Sequence, residues 1–282
     1  MKTFLTIAML VIAAVIVLPA QAVAAQYSSI VIDAQTGQVI SEYKADLPNY
    51  PASLTKMMTL YLTFEALKHQ VITPNTRLIV SRHAAAQKPT KLNLVAGKSV
   101  PVHDLILGLV TQSANDAAVV LAERLEGTES AFAKRMTETA RAMGMNNTTF
   151  FNASGLPNQF QRSTARDLCT LARRLYIDFP QDYRYFATKK FTYRGATHIN
   201  HNHLMSRFAG MDGIKTGYTD ASGYNLAASA VRDNRRVIGV VMGGGSAHAR
   251  DMKMAALLKA AFNGRPSPDV KRPKFSPHDL ND

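Results

Sequence analysis

The order of apolar and polar positions predicts strands at both ends of the chain and helices between them. Near the N-terminus, β-branched runs over residues 28–33 and 38–44 flank a glycine-containing turn and predict a hairpin. Apolar residues at helical spacing mark the middle of the chain. The predicted helices cover residues 53–69, 102–110, 116–125, 130–143 and 165–177.

Strand patterns return in the last third of the chain. The predicted strands cover residues 191–194, 213–218, 224–232 and 235–242, and a final helix covers 247–261. Residues 77–80 and 92–95 predict two short strands of a minor sheet. We expect an α/β (α+β) fold, in which an antiparallel sheet is assembled from both chain ends and a helical lobe is inserted between them.

The two termini differ from the folded region. Residues 1–24 combine a lysine, an apolar run and small residues at two candidate cleavage positions, which predicts a secretory signal. A membrane anchor is the alternative, because the apolar run is close to the lower limit for a membrane span. Either leads to export, and we expect a periplasmic location. We expect one folded domain over residues 25–264 and a disordered, basic, Pro-rich tail over 265–282.

The chain is basic, with a formal net charge of +13 at neutral pH. Its lysines and arginines are scattered, and neither an RNP-type aromatic motif nor zinc-finger spacing occurs, so we do not expect nucleic acid as a partner. Peripheral contact with an anionic membrane surface or cell wall stays open. Cys169 is the single cysteine, so no internal disulfide forms, and its apolar surroundings indicate a core residue.

Candidate chemistry begins in the segment that opens the first long helix. Ser53 and Lys56 lie three residues apart, so on a helix they share a face and the hydroxyl and amine come within reach. A hydroxyl needs a neighbouring base to act as a nucleophile near neutral pH. Lysine serves as that base only when burial or nearby positive charge lowers its pKa, and the apolar residues that follow make burial plausible.

Two further motifs follow in the chain. Ser113 and Asn115 fall in a break between two predicted helices, which allows both side chains to project into a cleft. Lys215 and Thr216 lie on a predicted strand and offer a cation and a hydroxyl to a substrate carboxylate. Gly217 permits close approach of a substrate backbone. In this order the three motifs match the signature of penicillin-binding proteins and class A β-lactamases. The middle member of that signature is Ser-Asp-Asn, and this chain has Ser113-Ala114-Asn115 there.

On these motifs the chain resembles the serine D-Ala-D-Ala carboxypeptidases, the low-molecular-mass penicillin-binding proteins. The resemblance runs from about residue 26 to residue 264. It includes the segments PASLTKMM (51–58), NASGLP (152–157), TARDL (164–168), DGIKTGYT (212–219) and GYNL (223–226). It implies a fold like that of serine β-lactamases and DD-transpeptidases, with a five-stranded antiparallel sheet, a helical lobe and the active site between them.

The resemblance also implies the catalytic roles. Ser53 would be acylated by the penultimate D-Ala of a peptidoglycan stem peptide, Lys56 would act as general base, and Ser113 would pass the proton to the departing D-Ala. β-Lactam antibiotics would be covalent inhibitors. Neither a metal nor an organic cofactor is implied. His201 and His203 lie two residues apart, but no cysteine or carboxylate close by in the sequence would complete a zinc site.

The same resemblance assigns the substrate-binding residues. Asn115 would bind the substrate amide, Lys215 and Thr216 would bind the terminal carboxylate, and Gly217 would lie along the substrate. The backbone N–H groups of Tyr218 and of the nucleophilic serine would form the oxyanion hole.

Two departures from relatives affect what is expected. Some relatives have Asn-Arg-Asn where this chain has Asn200-His201-Asn202, so a substrate-contacting arginine is replaced and the affinity for the carboxylate is open. Many relatives also carry a C-terminal β-rich domain and an amphipathic anchor. This chain ends too early for either, and we therefore expect a soluble periplasmic enzyme once the signal is cleaved.

Two rival functions share these motifs. A class A β-lactamase relies on a glutamate between the second and third motifs for deacylation. No glutamate lies between Glu138 and Lys215, and Glu123, Glu126, Glu129 and Glu138 fall in helical stretches or directly at their ends. A non-catalytic wall-binding protein would not need the lysine base. Endopeptidase action on D-Ala cross-links uses the same chemistry and stays open beside the carboxypeptidase reaction.

Overall fold

The computed structural model describes residues 25–265 of the chain. The predicted signal over residues 1–24 lies outside the described residues, and so does the predicted tail after its first residue. Within the described part, no helix has both the length and the apolar character that a membrane span requires.

The main sheet is built from both ends of the chain, as the sequence predicts. Residues 25–265 contain nine strands: β1 (Ser28–Asp33), β2 (Val39–Tyr43), β3 (Arg77–Ile79), β4 (Ser99–Pro101), β5 (Lys190–Tyr193), β6 (Ala196–Ile199), β7 (Met211–Thr219), β8 (Gly223–Arg232) and β9 (Arg235–Gly244). Five of them form one antiparallel sheet in the order β2-β1-β9-β8-β7. Because β1 pairs with β9, the N-terminal hairpin and the C-terminal meander form a single sheet.

The helices agree closely with the sequence pattern. The described α-helices are α1 (Lys56–Lys68), α2 (Arg82–Ala85), α3 (Val102–Thr111), α4 (Asn115–Glu126), α5 (Glu129–Ala142), α6 (Ala165–Asp178) and α7 (Ala247–Phe262). The six longer helices lie where they are predicted, except that the first turn before α1, Ala52–Thr55, is a 3-10 helix. Helix α2 has four residues and is too short to show a helical period.

The two faces of the sheet are covered by different helices. Successive side chains of a strand point to opposite faces, and in β1 Ile30 and Ile32 join the larger core with α6, whereas Val31 joins a smaller core with α7. Gly239 allows α7 to pack tightly, because a Cβ atom there would lie 2.9 Å from the sulfur of Met254. The sheet is therefore buried on both faces.

Helix α1 is the central helix of the inserted lobe. Ten of its thirteen residues are buried, and Met57, Leu60 and Phe64 have no exposed surface. Helices α3, α4, α5 and α6 surround it, while the preceding 3-10 helix contacts β7, the edge strand of the sheet. The start of α1 therefore lies where the helical lobe meets the sheet edge.

The predicted minor sheet is half wrong. β3 forms as expected, but its partner is β4 and not residues 92–95, which form no strand. The backbone N–H groups of Leu92 and Leu94 donate instead to the carboxylate of Asp116, each at 3.0 Å. Asn93, between them, has a left-handed φ of 59°. A strand and an irregular segment held by a buried carboxylate both satisfy an alternating apolar pattern, so the sequence alone does not separate them.

The long loop over residues 146–161 is ordered by the start of α6. The hydroxyl of Thr164 accepts a hydrogen bond from the N–H of Asp167, as a helix cap does. The carboxylate of Asp167 does not complete a capping box. It accepts hydrogen bonds from the backbone of Asn147 and the hydroxyl of Thr148, and so ties the loop to the helical lobe.

We predict that Asp116→Ala lowers the free energy of unfolding by about 3 kcal/mol, because it leaves buried N–H groups without an acceptor. Asp104→Ala, which removes a half-exposed carboxylate from the first turn of α3, is the control, with an expected loss of about 0.5 kcal/mol. Urea unfolding monitored by circular dichroism measures both. Equal losses for the two variants would contradict this account of residues 92–95.

Candidate active site

The candidate nucleophile and its base lie at the junction between the 3-10 helix and α1. Ser53 is half-buried in the 3-10 helix, and its Oγ lies 3.1 Å from the Nζ atom of Lys56. Lys56 is the first residue of α1 and has no exposed surface. The structure therefore brings the hydroxyl and the amine together, and buries the amine.

The surroundings of Lys56 favour the uncharged amine. Its Nζ lies 2.7 Å from the side-chain oxygen of Asn115 and 2.5 Å from the carbonyl oxygen of Ser154. Burial lowers the pKa of Lys56 well below its usual value, and the positive charge of Lys215 lowers it further, partly opposed by Asp116 and Glu129. A neutral amine donates its two N–H groups to these two acceptors, which leaves its lone pair for the hydroxyl proton of the serine.

The loop at residues 152–155 borders the site and contacts both Lys56 and the 3-10 helix. Besides the Ser154 carbonyl, the N–H of Ala153 donates to the carboxylate of Glu129 at 3.0 Å. Gly155 has a positive φ of 84°, and a Cβ atom there would lie 1.9 Å from the backbone oxygen of Ala52. Sequence reasoning did not identify the Ser154 contact, because a backbone carbonyl carries no residue-type signal.

Ser113 occupies the break between α3 and α4 that the sequence predicts. Its φ of 58° is unusual for a serine, and its Oγ is buried without a hydrogen-bond partner among residues 25–265. Lys56 contacts Ser53, Asn115 and Ser154, so it makes no direct bond to Ser113. The Ser113 hydroxyl lines the cavity and is free to bond a ligand.

Asn115 is engaged on both sides of its amide by the protein. Its oxygen accepts from Lys56, and its nitrogen donates to the carbonyl of Lys88 at 2.7 Å. Asn115 also lines the cavity. One N–H and one lone pair of the amide stay available, so structural support and ligand contact are compatible.

The third motif lies on the edge strand β7. Lys215 is buried, and its amine donates to the carbonyl of Thr216 at 2.8 Å. A Cβ atom at Gly217 would lie 3.0 Å from the backbone nitrogen of Ser53. Glycine is therefore required for β7 to pass directly beside the nucleophile. The neighbouring Tyr218 is exposed, and its ring stacks on Tyr224 with 4.3 Å between centroids.

The three motifs converge on one cavity of about 520 Å³. Its walls include side chains or backbone of six predicted site residues: Ser53, Ser113, Asn115, Thr216, Gly217 and Tyr218. The two predicted lysines lie behind the wall, buried among these residues. Every predicted site residue therefore lies in or directly behind the same cavity.

Positive charge is concentrated on one side of this cavity. Arg250, on α7, is 4% exposed on its side chain and pairs with Asp251 at 2.7 Å. Burial, together with the charge of Arg250, lowers the pKa of Lys215 to about 7. His201 also lines the cavity, and burial followed by the charge of Lys215 lowers its pKa to about 4, so it is uncharged near neutral pH.

Arg250 was missed by sequence reasoning. The available signal was a charged residue in the first turn of α7, directly after the glycine-rich end of the last strand. That signal is weak without the knowledge that α7 packs against β9 and β8 and that Arg250 donates to the carbonyl of Asn225 on β8. Among residues 25–265, no group of three or more His, Cys, Asp or Glu side chains is arranged to hold a metal ion.

Comparison with known proteins gives consistent matches. The family described as D-alanyl-D-alanine carboxypeptidase matches residues 15–246. The chain is 37% identical over 242 residues to D-alanyl-D-alanine carboxypeptidase DacA of Escherichia coli strain K12, covering 83% of this chain and 60% of the relative. It is 34% identical over 245 residues to DacF of Bacillus subtilis strain 168, covering 84% and 62%. The chain thus spans about three-fifths of the length of these relatives.

Solved structures match as well. Penicillin binding protein 5 from Haemophilus influenzae superposes with a TM-score of 0.81 at 34% identity, covering 84% of this chain and 70% of that one. Penicillin-Binding Protein D2 from Listeria monocytogenes, in its ampicillin-bound form, gives a TM-score of 0.76 at 32% identity, covering 83% and 96%. The fold is that of these penicillin-binding proteins.

We predict that Gly155→Ala destabilises the protein at least twice as strongly as Gly97→Ala. Both glycines have a positive φ, which disfavours alanine by about 1–2 kcal/mol, but the space around Gly97 is open and that around Gly155 is not. Urea unfolding of both variants measures the difference. Equal destabilisation would mean that the loop moves away from Ala52 without loss.

We also predict that the Lys215 amine titrates near pH 7, which NMR of ¹³C-labelled lysine detects. Lys215→Gln assigns the signal by removing it. Arg250→Met should raise this pKa, because a nearby positive charge is lost, yet leave it below the usual 10.5, because burial is the larger cause.

Arg124→Met removes an exposed arginine on α4 and serves as the control, with no expected change. A Lys215 signal that titrates at the ordinary lysine value of about 10.4 would contradict the assignment of a buried, charge-coupled amine.

Proposed function

This chain belongs to the D-alanyl-D-alanine carboxypeptidase family, and we propose that it removes the terminal D-Ala from peptidoglycan stem pentapeptides through an acyl-enzyme on Ser53. One observation carries the proposal: the buried amine of Lys56 lies 3.1 Å from the Ser53 hydroxyl, at a cavity that all three motifs border. This pair supplies an activated nucleophile without a metal or organic cofactor.

Acylation begins with proton transfer to Lys56. The neutral amine takes the hydroxyl proton of Ser53 as Oγ attacks the carbonyl carbon of the penultimate D-Ala. The backbone N–H groups of Ser53 and Tyr218 stabilise the resulting oxyanion, and the close passage of β7 beside the nucleophile supports this assignment. Losing one such donor reduces the rate on the order of a hundredfold in other serine enzymes.

Collapse of the tetrahedral intermediate breaks the peptide bond. Ser113 gives its hydroxyl proton to the departing nitrogen and takes a proton from the Lys56 ammonium, so D-Ala leaves with a neutral amine and Lys56 is neutral again. The Ser113 hydroxyl is free of protein partners in the described chain, which supports this role. Water then attacks the ester, with Lys56 again accepting a proton, and releases the shortened peptide. The same steps act on a D-Ala cross-link, so an endopeptidase side activity uses the same site.

The terminal carboxylate of the substrate binds at the positive side of the cavity. Lys215 and Thr216 provide a cation and a hydroxyl, and Arg250 adds a second buried cation. Because His201 is uncharged near neutral pH, it contributes a hydrogen bond rather than a charge where some relatives have arginine. Asn115 binds the substrate amide with the part of its own amide that the protein does not use.

β-Lactams are expected to acylate Ser53, because they present a strained amide and a carboxylate to the same groups. The ampicillin-bound form of the Listeria monocytogenes relative supports this expectation. No glutamate of the described chain lines the cavity, and Glu129 is held by the loop backbone at Ala153. Deacylation by a glutamate, as in class A β-lactamases, therefore has no candidate residue, and the adduct should be long-lived.

The proposed location rests on the composition of residues 1–24 and on the net charge of the chain. Residues 1–24 direct export, and residues 25–264 form the catalytic domain, which acts in the periplasm. The net charge of +13 favours peripheral contact with an anionic wall or membrane surface.

We predict that Ser53→Ala abolishes both D-Ala release from a pentapeptide and covalent labelling by benzylpenicillin. Intact-mass measurement detects the adduct, and a D-Ala assay measures turnover. Ser130→Ala, at an exposed position of α5 away from the cavity, is the matched control and should keep both properties.

The same measurements separate the rivals. An adduct on the Ser53 variant would overturn the nucleophile assignment. Rapid turnover of a chromogenic cephalosporin by the unmodified protein would favour a β-lactamase, and pentapeptide binding without D-Ala release would favour a non-catalytic wall-binding protein.

A further inference from the structure

The cavity has one negatively charged residue on its wall, Asp220. It follows the C-terminal end of β7 and is exposed. One of its carboxylate oxygens accepts a hydrogen bond from the Tyr218 hydroxyl at 2.7 Å. Within residues 25–265 it forms no salt bridge, whereas most other carboxylates of the described chain pair with a basic side chain or with backbone N–H groups. A carboxylate that is oriented but unpaired is available to a cationic ligand.

The positive groups lie at the other side of the cavity. Arg250 and His201 line the cavity together with Thr216, and the buried Lys215 lies behind that wall. Lys215 and Thr216 precede Asp220 by five and four residues, and Asp220 directly follows the end of β7. One side of the cavity therefore carries the Lys215 amine and the Arg250 guanidinium, which is itself paired with Asp251, and the other side carries the unpaired carboxylate of Asp220. This arrangement suits a ligand with a carboxylate at one end and a cation some distance away.

Strand β7 gives the direction in which a peptide lies. In the acylation complex proposed above, the terminal carboxylate binds at Thr216 and the oxyanion points to the N–H of Tyr218. The scissile carbonyl then lies beside Gly217, where a Cβ atom would lie 3.0 Å from the backbone nitrogen of Ser53. Following the peptide from its C-terminus toward its N-terminus therefore means moving along β7 toward Asp220. The peptide runs antiparallel to the strand, and its upstream residues approach Asp220.

The lengths agree with this arrangement. Four residues of extended strand separate Thr216 from Asp220, which is about 13 Å. In the peptide, two residues of backbone cover about 7 Å, and a lysine-length side chain of about 6 Å that leans along the strand, met by the side chain of Asp220 itself, covers the rest. The side chain that reaches Asp220 therefore belongs to the residue immediately before the two D-alanines.

We propose that Asp220 binds the side-chain ammonium of that residue, so that the enzyme prefers stem peptides whose third residue carries a free cationic amine. The inference rests on the proposed function and refines its substrate. A cross-link through this amine converts it to a neutral amide and removes the charge, so Asp220 favours stems that are not yet cross-linked at that position.

The test compares two tripeptides that differ only in this charge, Nα-acetyl-L-Lys-D-Ala-D-Ala and Nα,Nε-diacetyl-L-Lys-D-Ala-D-Ala. The measured quantity is the ratio of their kcat/KM values at low ionic strength. For a solvent-exposed ion pair we expect the wild-type enzyme to prefer the cationic peptide about threefold to fivefold. Because exposed charges are screened by salt, the ratio should approach one in 1 M NaCl, where the Debye length is about 3 Å.

Three variants locate the effect. Asp220→Asn retains an oxygen for the Tyr218 hydroxyl but removes the charge, and should bring the ratio to about one. Asp220→Lys should bring it below one. Asp233→Asn, at an exposed carboxylate in the turn between β8 and β9 that also forms no salt bridge in the described chain, is the matched control and should keep the wild-type ratio.

The outcomes separate the inference from the function. If both peptides are cleaved but the wild-type ratio is one, or if Asp220→Asn keeps the wild-type ratio, the role of Asp220 is overturned and the carboxypeptidase stands. If the wild-type enzyme releases D-Ala from neither peptide, the proposed function fails, and the inference fails with it.

Discussion

The structure depends on one costly arrangement, the complete burial of an amine next to a hydroxyl. Lys56 has no exposed surface, and a charged ammonium there would lack the water that stabilises it. The protein provides two oxygen acceptors, from Asn115 and Ser154, and leaves the third direction to Ser53. Burial therefore does two things at once: it lowers the pKa of the amine, and it orients the remaining lone pair toward the proton that must be removed.

The acceptors come from parts of the chain that are far apart in sequence, and separate contacts hold each of them. Asn115 begins α4 and also bonds the carbonyl of Lys88. The Ser154 carbonyl is held by a loop that Glu129 fixes on one side and that touches Ala52 through Gly155 on the other. The 3-10 helix that carries the nucleophile is fastened to the sheet by Asn225, whose amide nitrogen donates to the carbonyl of Tyr50. The site is a junction between the helical lobe, the loop and the sheet edge.

The electrostatics of the cavity follow from the same junction. Arg250 on α7 and Lys215 on β7 are both buried, and burial, followed by the charge of Arg250, lowers the pKa of Lys215 to about 7. An anionic ligand group that binds between them stabilises both cations, so affinity for a carboxylate and the protonation of Lys215 are coupled. His201 does not add to this charge, because the positive neighbours and its burial keep it neutral. The cavity therefore has positively charged groups at one side and the negatively charged Asp220 at the other, so it distinguishes the two ends of a charged ligand.

Local features of the sequence determined most of the helices and strands and identified most of the candidate site residues. Periodicity set the long helices and the strands of the main sheet, and residue types at short spacing identified the Ser53–Lys56 pair and the two motifs that accompany it. Tertiary structure alone decided the rest. Residues 92–95 form no strand because Asp116 takes the N–H groups of Leu92 and Leu94, and this needs a helix more than twenty positions away to lie beside them. Arg250 enters the site only because α7 packs against β8 and β9, and the Ser154 carbonyl enters it only because the loop folds against α1. Nothing in a sequence distinguishes a functional helical arginine from any other helical arginine, or one backbone carbonyl from another. Only the position in space gives either of them a role.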